Sequence, residues 1–429
     1  MNPRIYVDLV NSPDGLTVDD PITHFPKRRD SDNKTGVREC RPSGPDLVGR
    51  NITRRRFLAA LGGGSILGPC ANSAASNAPS VAFPDIRSVP PDLVVPALSH
   101  QSPGPGRRVR RTLSAYAHTD VHHTLYLPVD WEPGRKYPVL VEYPGNGPYH
   151  SPYGDYSSGE VGGCNMGYGI SGGRGFVWMA LPFISPADKT NERSWWGDVN
   201  ATLLYCKNAV VDACEHFGGD SASVIICGFS RGAIACNYIG LHNEEMADIW
   251  LAFIANSHYD GVRSWPWKGS DRLSAIERLK LLRGRASFVL QEVSTANIQE
   301  YLKRTCVKAP FTFKTILYRN HTSSWILRDI PARRALRAWV SKILTEPPGV
   351  YQIRGRVLDA DRRPVERVRI QSGDTHWTVT DSKGEFVLRN LIESRRKIVP
   401  IRKGLRFSPP QLSVTIKGNN VSHLEFHAS

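Results

Sequence analysis

Gly228-Phe229-Ser230-Arg231-Gly232 is the segment most able to do chemistry. A serine with glycine two residues before and two after it fits a strand that turns abruptly into a helix, because larger side chains at Gly228 and Gly232 would collide there. The flanks agree: Val224-Ile225-Ile226-Cys227 is a short apolar strand and Ala233-Ile234-Ala235-Cys236 begins a helix. A serine hydroxyl is a weak nucleophile at neutral pH and needs a base within hydrogen-bond reach. His321 stands in the loop Asn320-His321-Thr322 after the apolar run Phe311 to Tyr318, and His258 is the rival base. A carboxylate must orient the imidazole, and the candidates are Glu292, after the strand Ser287 to Leu290, and Asp260 in Ser257-His258-Tyr259-Asp260-Gly261. An oxyanion formed in acyl transfer needs two backbone donors, for which Arg231 and either Asn146 or Gly147 of the turn Pro144-Gly145-Asn146-Gly147 are expected.

These residues are spaced along alternating strands and helices. Strand-like runs at Tyr137 to Tyr143, Phe176 to Pro182, Val224 to Cys227, Ile249 to Ala255, Ser287 to Leu290 and Phe311 to Tyr318 are separated by helical periodicity, clearest between Gly197 and Phe217. Parallel strands joined by crossover helices follow, so the fold class is α/β, a doubly wound and mostly parallel sheet. Beyond Glu346-Pro347-Pro348-Gly349 the pattern changes to period-two strands and turns, which indicates a small all-β sandwich over residues 349–429.

Trp195-Trp196-Gly197-Asp198 heads the long helix, and Trp195, Trp196 and His258 are candidates for a substrate pocket. Gly167-Tyr168-Gly169-Ile170-Ser171-Gly172 matches a dinucleotide-binding spacing but precedes a strand instead of following one, so it is set aside. His122-His123 lacks companion ligands and reads as strand surface; no cluster suggests a metal, and no cofactor is expected.

The chain has 429 residues, with 40% hydrophobic and 22% charged residues and a formal charge of +15. That charge is spread out, so nucleic acid is not an expected partner. Residues 349–429 hold 15 Lys and Arg against 8 Asp and Glu, which suggests contact with an anionic glycan or the cell envelope. No apolar run reaches the roughly 18 residues of a membrane span.

Residues 1–52 form a polar leader, or translation begins near Val48. Residues 53–78 resemble a twin-arginine signal: Thr53-Arg54-Arg55-Arg56-Phe57-Leu58, a short apolar stretch, then small residues around Cys70 to Ala75. Export to the periplasm or outside follows, where disulfides are permitted, although no pairing among the six downstream cysteines can be read. Residues 79–107, rich in Pro, Ser and Gly, read as a linker.

The serine pentapeptide between strand and helix, with a histidine loop after the last strand, resembles secreted α/β-hydrolases of the polyhydroxybutyrate depolymerase and feruloyl esterase kind, and prolyl-oligopeptidase-like catalytic domains, over about residues 108–345. That likeness implies acyl-enzyme chemistry on carboxylic esters without metal or organic cofactor. Its chain order of serine, acid and histidine favours Glu292, with Asp260 as the alternative because some members place the acid one strand earlier. The tail resembles carboxypeptidase regulatory-like domains through Ile353-x-Gly355-x-Val357, Thr380-Asp381-x-x-Gly384-x-Phe386 and Gly404 to Pro409, which implies an accessory module. A polysaccharide or polyester would suit such an architecture. Two other readings stay open: a prolyl-oligopeptidase-like serine peptidase, and a non-catalytic carbohydrate-binding protein on a hydrolase scaffold.

Overall fold

The computed structural model describes residues 83–187 and 189–429. The expected leader and twin-arginine segment, with the first residues of the linker, lie outside the described residues.

Nine strands form one twisted sheet: β1 (Leu98–Ser99), β2 (Arg108–Arg111), β3 (His123–Tyr126), β4 (Tyr137–Tyr143), β5 (Val177–Ala180), β6 (Gly219–Phe229), β7 (Ala252–Asn256), β8 (Ser287–Glu292) and β9 (Phe311–Ile316). Their spatial order is β1-β2-β3-β5-β4-β6-β7-β8-β9. From β5 to β9 every pairing is parallel, and β3 is antiparallel to both of its neighbours. This is a mixed, mostly parallel sheet of the α/β class.

Among the described residues seven helices connect or cover the strands: α1 (Met166–Ser171), α2 (Val199–His216), α3 (Arg231–Tyr238), α4 (Glu244–Ala247), α5 (Arg272–Leu279), α6 (Ala296–Thr305) and α7 (Pro331–Thr345). Alternation along the strands splits the core into two layers, since successive side chains point to opposite faces. Val139, Val141, Ile226 and Val289 pack with α2, α3, α5 and α6 on one face. Leu140, Ile225, Cys227, Phe288 and Leu290 pack with α1 and α7 on the other. Helix α2 starts where the Asp198 side chain accepts the Ala201 N–H, and Gly218, at φ 75°, turns the chain into β6.

Two local readings change with the structure, and the set-aside Gly167 and Gly169 spacing gains a cause. His123 is buried, not surface, and its Nδ1 lies 2.8 Å from the Tyr205 hydroxyl. The Gly167 and Gly169 spacing serves packing: a Cβ on Gly167 would lie 2.0 Å from Trp178, and one on Gly169 would lie 2.3 Å from Ile326. Much of the expected linker is built into the domain. Ile86 is buried and its N–H donates to Asn320 Oδ1 at 2.7 Å; Asp92 pairs with Arg333 at 2.6 Å; β1 adds to the sheet edge.

The C-terminal eight strands are β10 (Tyr351–Leu358), β11 (Arg369–Ser372), β12 (His376–Val379), β13 (Glu385–Leu391), β14 (Ser394–Ile401), β15 (Phe407–Ser408), β16 (Leu412–Ile416) and β17 (Val421–Ala428). They form two four-stranded sheets, β13-β10-β17-β15 and β12-β11-β14-β16, around Ile353, Val357, Ile370, Phe386, Ile398 and Phe426. Part of this module's positive charge is spent on docking. Arg369 meets Glu215 at 2.9 Å, Arg389 meets Asp220 at 2.9 Å, and the buried Arg396 grips Asp248 through both nitrogens. The buried imidazole of His376 stands 3.8 Å from the same Asp248 carboxylate.

Candidate active site

Ser230 lies between the end of β6 and the start of α3 with φ 54° and ψ −115°, backbone angles that cost a non-glycine residue free energy. The turn is held because the Ser230 N–H donates to the Asn256 carbonyl at the end of β7, at 2.9 Å. Its tightness explains both glycines. A Cβ on Gly228 would lie 2.2 Å from the Gly232 carbonyl oxygen, and one on Gly232 would lie 2.0 Å from the Tyr143 carbonyl oxygen.

His321 reaches this serine from the loop after β9, with its Nε2 3.1 Å from Ser230 Oγ. The Phe229 ring packs 4.8 Å from the imidazole, centre to centre, and Tyr149 lies edge-on at 5.6 Å. The loop is fixed by Asp155, which has no counterpart among the sequence expectations. One of its oxygens accepts the His321 backbone N–H at 3.1 Å, and the other accepts the Asn320 amide at 2.9 Å. Ser151 Oγ donates to Asp155 at 2.7 Å. Asp155 sits in a loop with no motif around it, so only three-dimensional proximity reveals it.

Glu292, the last residue of β8, is on the other side of the imidazole: Oε1 is 3.5 Å from His321 Nδ1. The same oxygen accepts the Ser257 hydroxyl, and Oε2 accepts the Gln291 amide at 3.0 Å. Ser257 is at φ 75°, with its N–H on the Leu290 carbonyl at 2.9 Å, so a strained backbone aims its hydroxyl at the carboxylate. The sequence places Ser257 beside His258 and Asp260, but gives no reason to choose it over them.

Asp260 is placed elsewhere. It is 2% exposed and its carboxylate pairs with Arg278 at 2.8 Å. Burial nonetheless raises its pKa to about 6 against the pull of Arg278. His258 comes within 5.4 Å of His321, ring centre to ring centre. Burial, and then the neighbouring His321, push its pKa down to about 4, which leaves it neutral at neutral pH. Structure therefore brings together Ser230, His321 and Glu292, and pairs the alternative acid with an arginine instead.

The expected oxyanion donors divide. The Gly147 N–H is taken by the Arg193 carbonyl at 2.9 Å, so Gly147 is corrected from donor to structural glycine. No acceptor takes the N–H of Arg231 or of Asn146 among the described residues. Asn146 Oδ1 accepts the Trp195 N–H at 2.7 Å. The Arg231 side chain is buried, and its guanidinium donates to the Trp195 carbonyl at 2.8 Å and the Gly159 carbonyl at 3.2 Å. Trp196 also departs from expectation: it is 2% exposed, stacks on Tyr238 and donates to Ser270 Oγ, which makes it core and not pocket wall. Trp195 remains partly exposed, against Trp265 and Trp267. A cavity of about 430 Å³ opens beside His321, lined by Ser257, His258, Arg263, Trp265, Glu292 and their neighbours.

No family model matches the chain, and no curated protein matches it. Solved structures similar to it include a thermostable esterase, 18% identical, with a TM-score of 0.33, matched over 53% of this chain and 59% of that one. A Bacteroides ovatus protein described as a dipeptidyl aminopeptidase IV is 13% identical, with a TM-score of 0.40, over 55% of this chain and 35% of that one. A ferulic acid esterase is 17% identical, with a TM-score of 0.36, over 55% of this chain and 98% of that one. The chain thus spans less than two thirds of each of the first two.

Proposed function

We propose that this chain is an exported serine hydrolase that cleaves carboxylic esters through an acyl-enzyme. One observation carries the reading: the hydroxyl of a strained serine lies 3.1 Å from an imidazole nitrogen whose ring partner faces a carboxylate at 3.5 Å. In this reading His321 Nε2 takes the Ser230 proton as Oγ attacks the ester carbonyl. Glu292 holds the Nδ1–H tautomer and stabilises the imidazolium, with Ser257 and Gln291 fixing the carboxylate. The N–H groups of Arg231 and Asn146 receive the oxyanion. The imidazolium then protonates the departing alcohol, and water, deprotonated by the same histidine, releases the acid.

Export rests on the order of Thr53 to Ala75, and among the described residues no helix is long and apolar enough to cross a membrane. The module at 349–429 serves as an accessory for a polymeric substrate, a polysaccharide or a polyester. With Arg369, Arg389 and Arg396 engaged in docking, contact with an anionic glycan or envelope falls to the exposed Arg395, Lys397, Lys403 and Arg406. Nitrophenyl esters and peptide amides, assayed with the full chain and with Ser230→Ala, test the reaction. Ester turnover that vanishes in the variant supports the proposal. Amide turnover with inert esters would make the protein a peptidase, and inertness towards both would leave a binding protein.

A further inference from the structure

Beyond the serine itself, three tryptophans gather at the rim of the core, where Trp195 and Trp265 pack against it while staying only partly buried. Trp195, Trp265 and Trp267 lie with ring centres 4.7 and 5.9 Å apart around Trp195, and Trp267 is 45% exposed. A continuous path of rings joins them to the site: His321 to His258 at 5.4 Å, then His258 to Trp265 at 6.3 Å.

The cluster is preorganised. Trp195 has φ 54°, a conformation bulky residues rarely adopt, and it is pinned on both sides: its N–H goes to Asn146 and its carbonyl to Arg231. Those two residues are the proposed oxyanion donors, so the strained Trp195 backbone is tied through their side chains to the turn that would receive the oxyanion. The loop carrying Trp265 and Trp267 closes on itself through Trp265 N–H to the Ser270 carbonyl and Ser270 N–H to the Trp267 carbonyl. Tyr238 and Arg278 hold it from below by donating to the Lys268 and Gly269 carbonyls at 2.8 Å each.

We propose that Trp195, Trp265 and Trp267, with the cavity beside His321, form a subsite for a ring on the alcohol side of the ester. The inference rests on the hydrolase reading and deepens it. Its side follows from proton transfer: the His321 imidazole protonates the departing oxygen, and His321 and Trp265 are both walls of the cavity, so an alcohol leaving against His321 is the part of the ester that reaches the tryptophans. The ring follows from the tryptophans, of which Trp265 also lines the cavity. Indole faces stack on flat apolar faces, whether of an arene or of a pyranose, and a cavity of about 430 Å³ holds one such ring.

Acetates with one acyl group and different alcohols provide the test: propyl acetate, benzyl acetate and methyl 6-O-acetylglucoside, hydrolysed by the full chain. A kcat/KM at least tenfold higher for benzyl or glucosyl acetate than for propyl acetate, with most of that gain lost in Trp265→Ala and Trp267→Ala, supports the subsite. The larger gain identifies arene or sugar. Equal values, or a gain that survives both substitutions, overturn it while propyl acetate turnover that depends on Ser230 leaves the hydrolase reading standing. A second readout needs no turnover: saturable quenching of tryptophan fluorescence in full-chain Ser230→Ala by benzyl alcohol or methyl glucoside, weakened in Ser230→Ala/Trp267→Ala. Absence of saturable quenching by either probe also overturns the subsite.

Discussion

Replacing Glu292 with glutamine removes one charge and almost no volume, so it isolates what the carboxylate does. Oε1 lies 3.5 Å from His321 Nδ1, and the two side chains are 8% and 23% exposed, an environment that screens much less than bulk water. At an effective dielectric near 20, a full charge pair at that separation is worth about 4 to 5 kcal/mol. The imidazolium exists in the transition state and not before it, so this attraction acts on kcat and leaves KM nearly unchanged. Losing it costs about 1,000-fold in kcat. Glutamine also presents an amide that must face a donor: on one side the His321 Nδ1–H, on the other the Gln291 amide that now donates to Oε2. Steady-state hydrolysis of a nitrophenyl ester by the wild-type chain and Glu292→Gln measures the ratio, and a melting curve checks that the fold is intact. A folded variant within tenfold of wild type would refute the assignment of Glu292, and a larger loss in a folded Asp260→Asn would return the acid to Asp260.

Four further outcomes are expected. Gly232→Ala puts a methyl 2.0 Å from the Tyr143 carbonyl oxygen, so denaturant unfolding should show a loss of about 3 kcal/mol, whereas wild-type stability would contradict the tight turn. Arg396→Ala leaves Asp248 partly buried with its ion pair broken; a loss of roughly 3 kcal/mol and faster proteolysis of residues 349–429 should follow, and an unchanged digest would contradict the docking. Asp155→Asn loosens the loop of His321, so kcat should fall about tenfold or more with little change in KM. Acid should destabilise the fold. Burial lowers the pKa of His123 to about 3 and of His258 to about 4, against an ordinary 6.5, so between pH 4 and 6.5 the unfolded chain binds more protons at these two sites and their contribution to stability falls as pH drops. At pH 4.5 each contributes on the order of 2 kcal/mol to that fall; Asp260, whose pKa burial raises to about 6, offsets roughly one of the two, and a stability that rises as pH drops would contradict the prediction.

The serine, its glycines and the histidine loop were legible because each is tied to a local pattern: a strand-to-helix turn, or a loop after an apolar run. The parallel sheet was legible for the same reason, since short apolar runs and period-3.6 helices alternate from Tyr137 to Leu344. Chain order favoured Glu292 but left Asp260 open, because both follow strands; the approach of Glu292 to His321 and the pairing of Asp260 with Arg278 separate them. Gly147 and Trp196 were misread for a related reason: hydrogen bonding to Arg193 and stacking on Tyr238 are contacts across distant segments. Asp155 and Ser257 act through residues that are remote in sequence. The linker reading foundered on composition, because a Pro- and Ser-rich stretch lacks helix and central-strand character whether it floats or, like Ile86 and Asp92, is strapped to the domain.

The central claim is that Ser230 is an activated nucleophile. Mass spectrometry of the full chain after exposure to a fluorophosphonate tests it most directly. One adduct per chain, mapped to Ser230, absent in Ser230→Ala and strongly slowed in His321→Ala, is the predicted result; an unlabelled chain, or labelling that persists in Ser230→Ala, would contradict it.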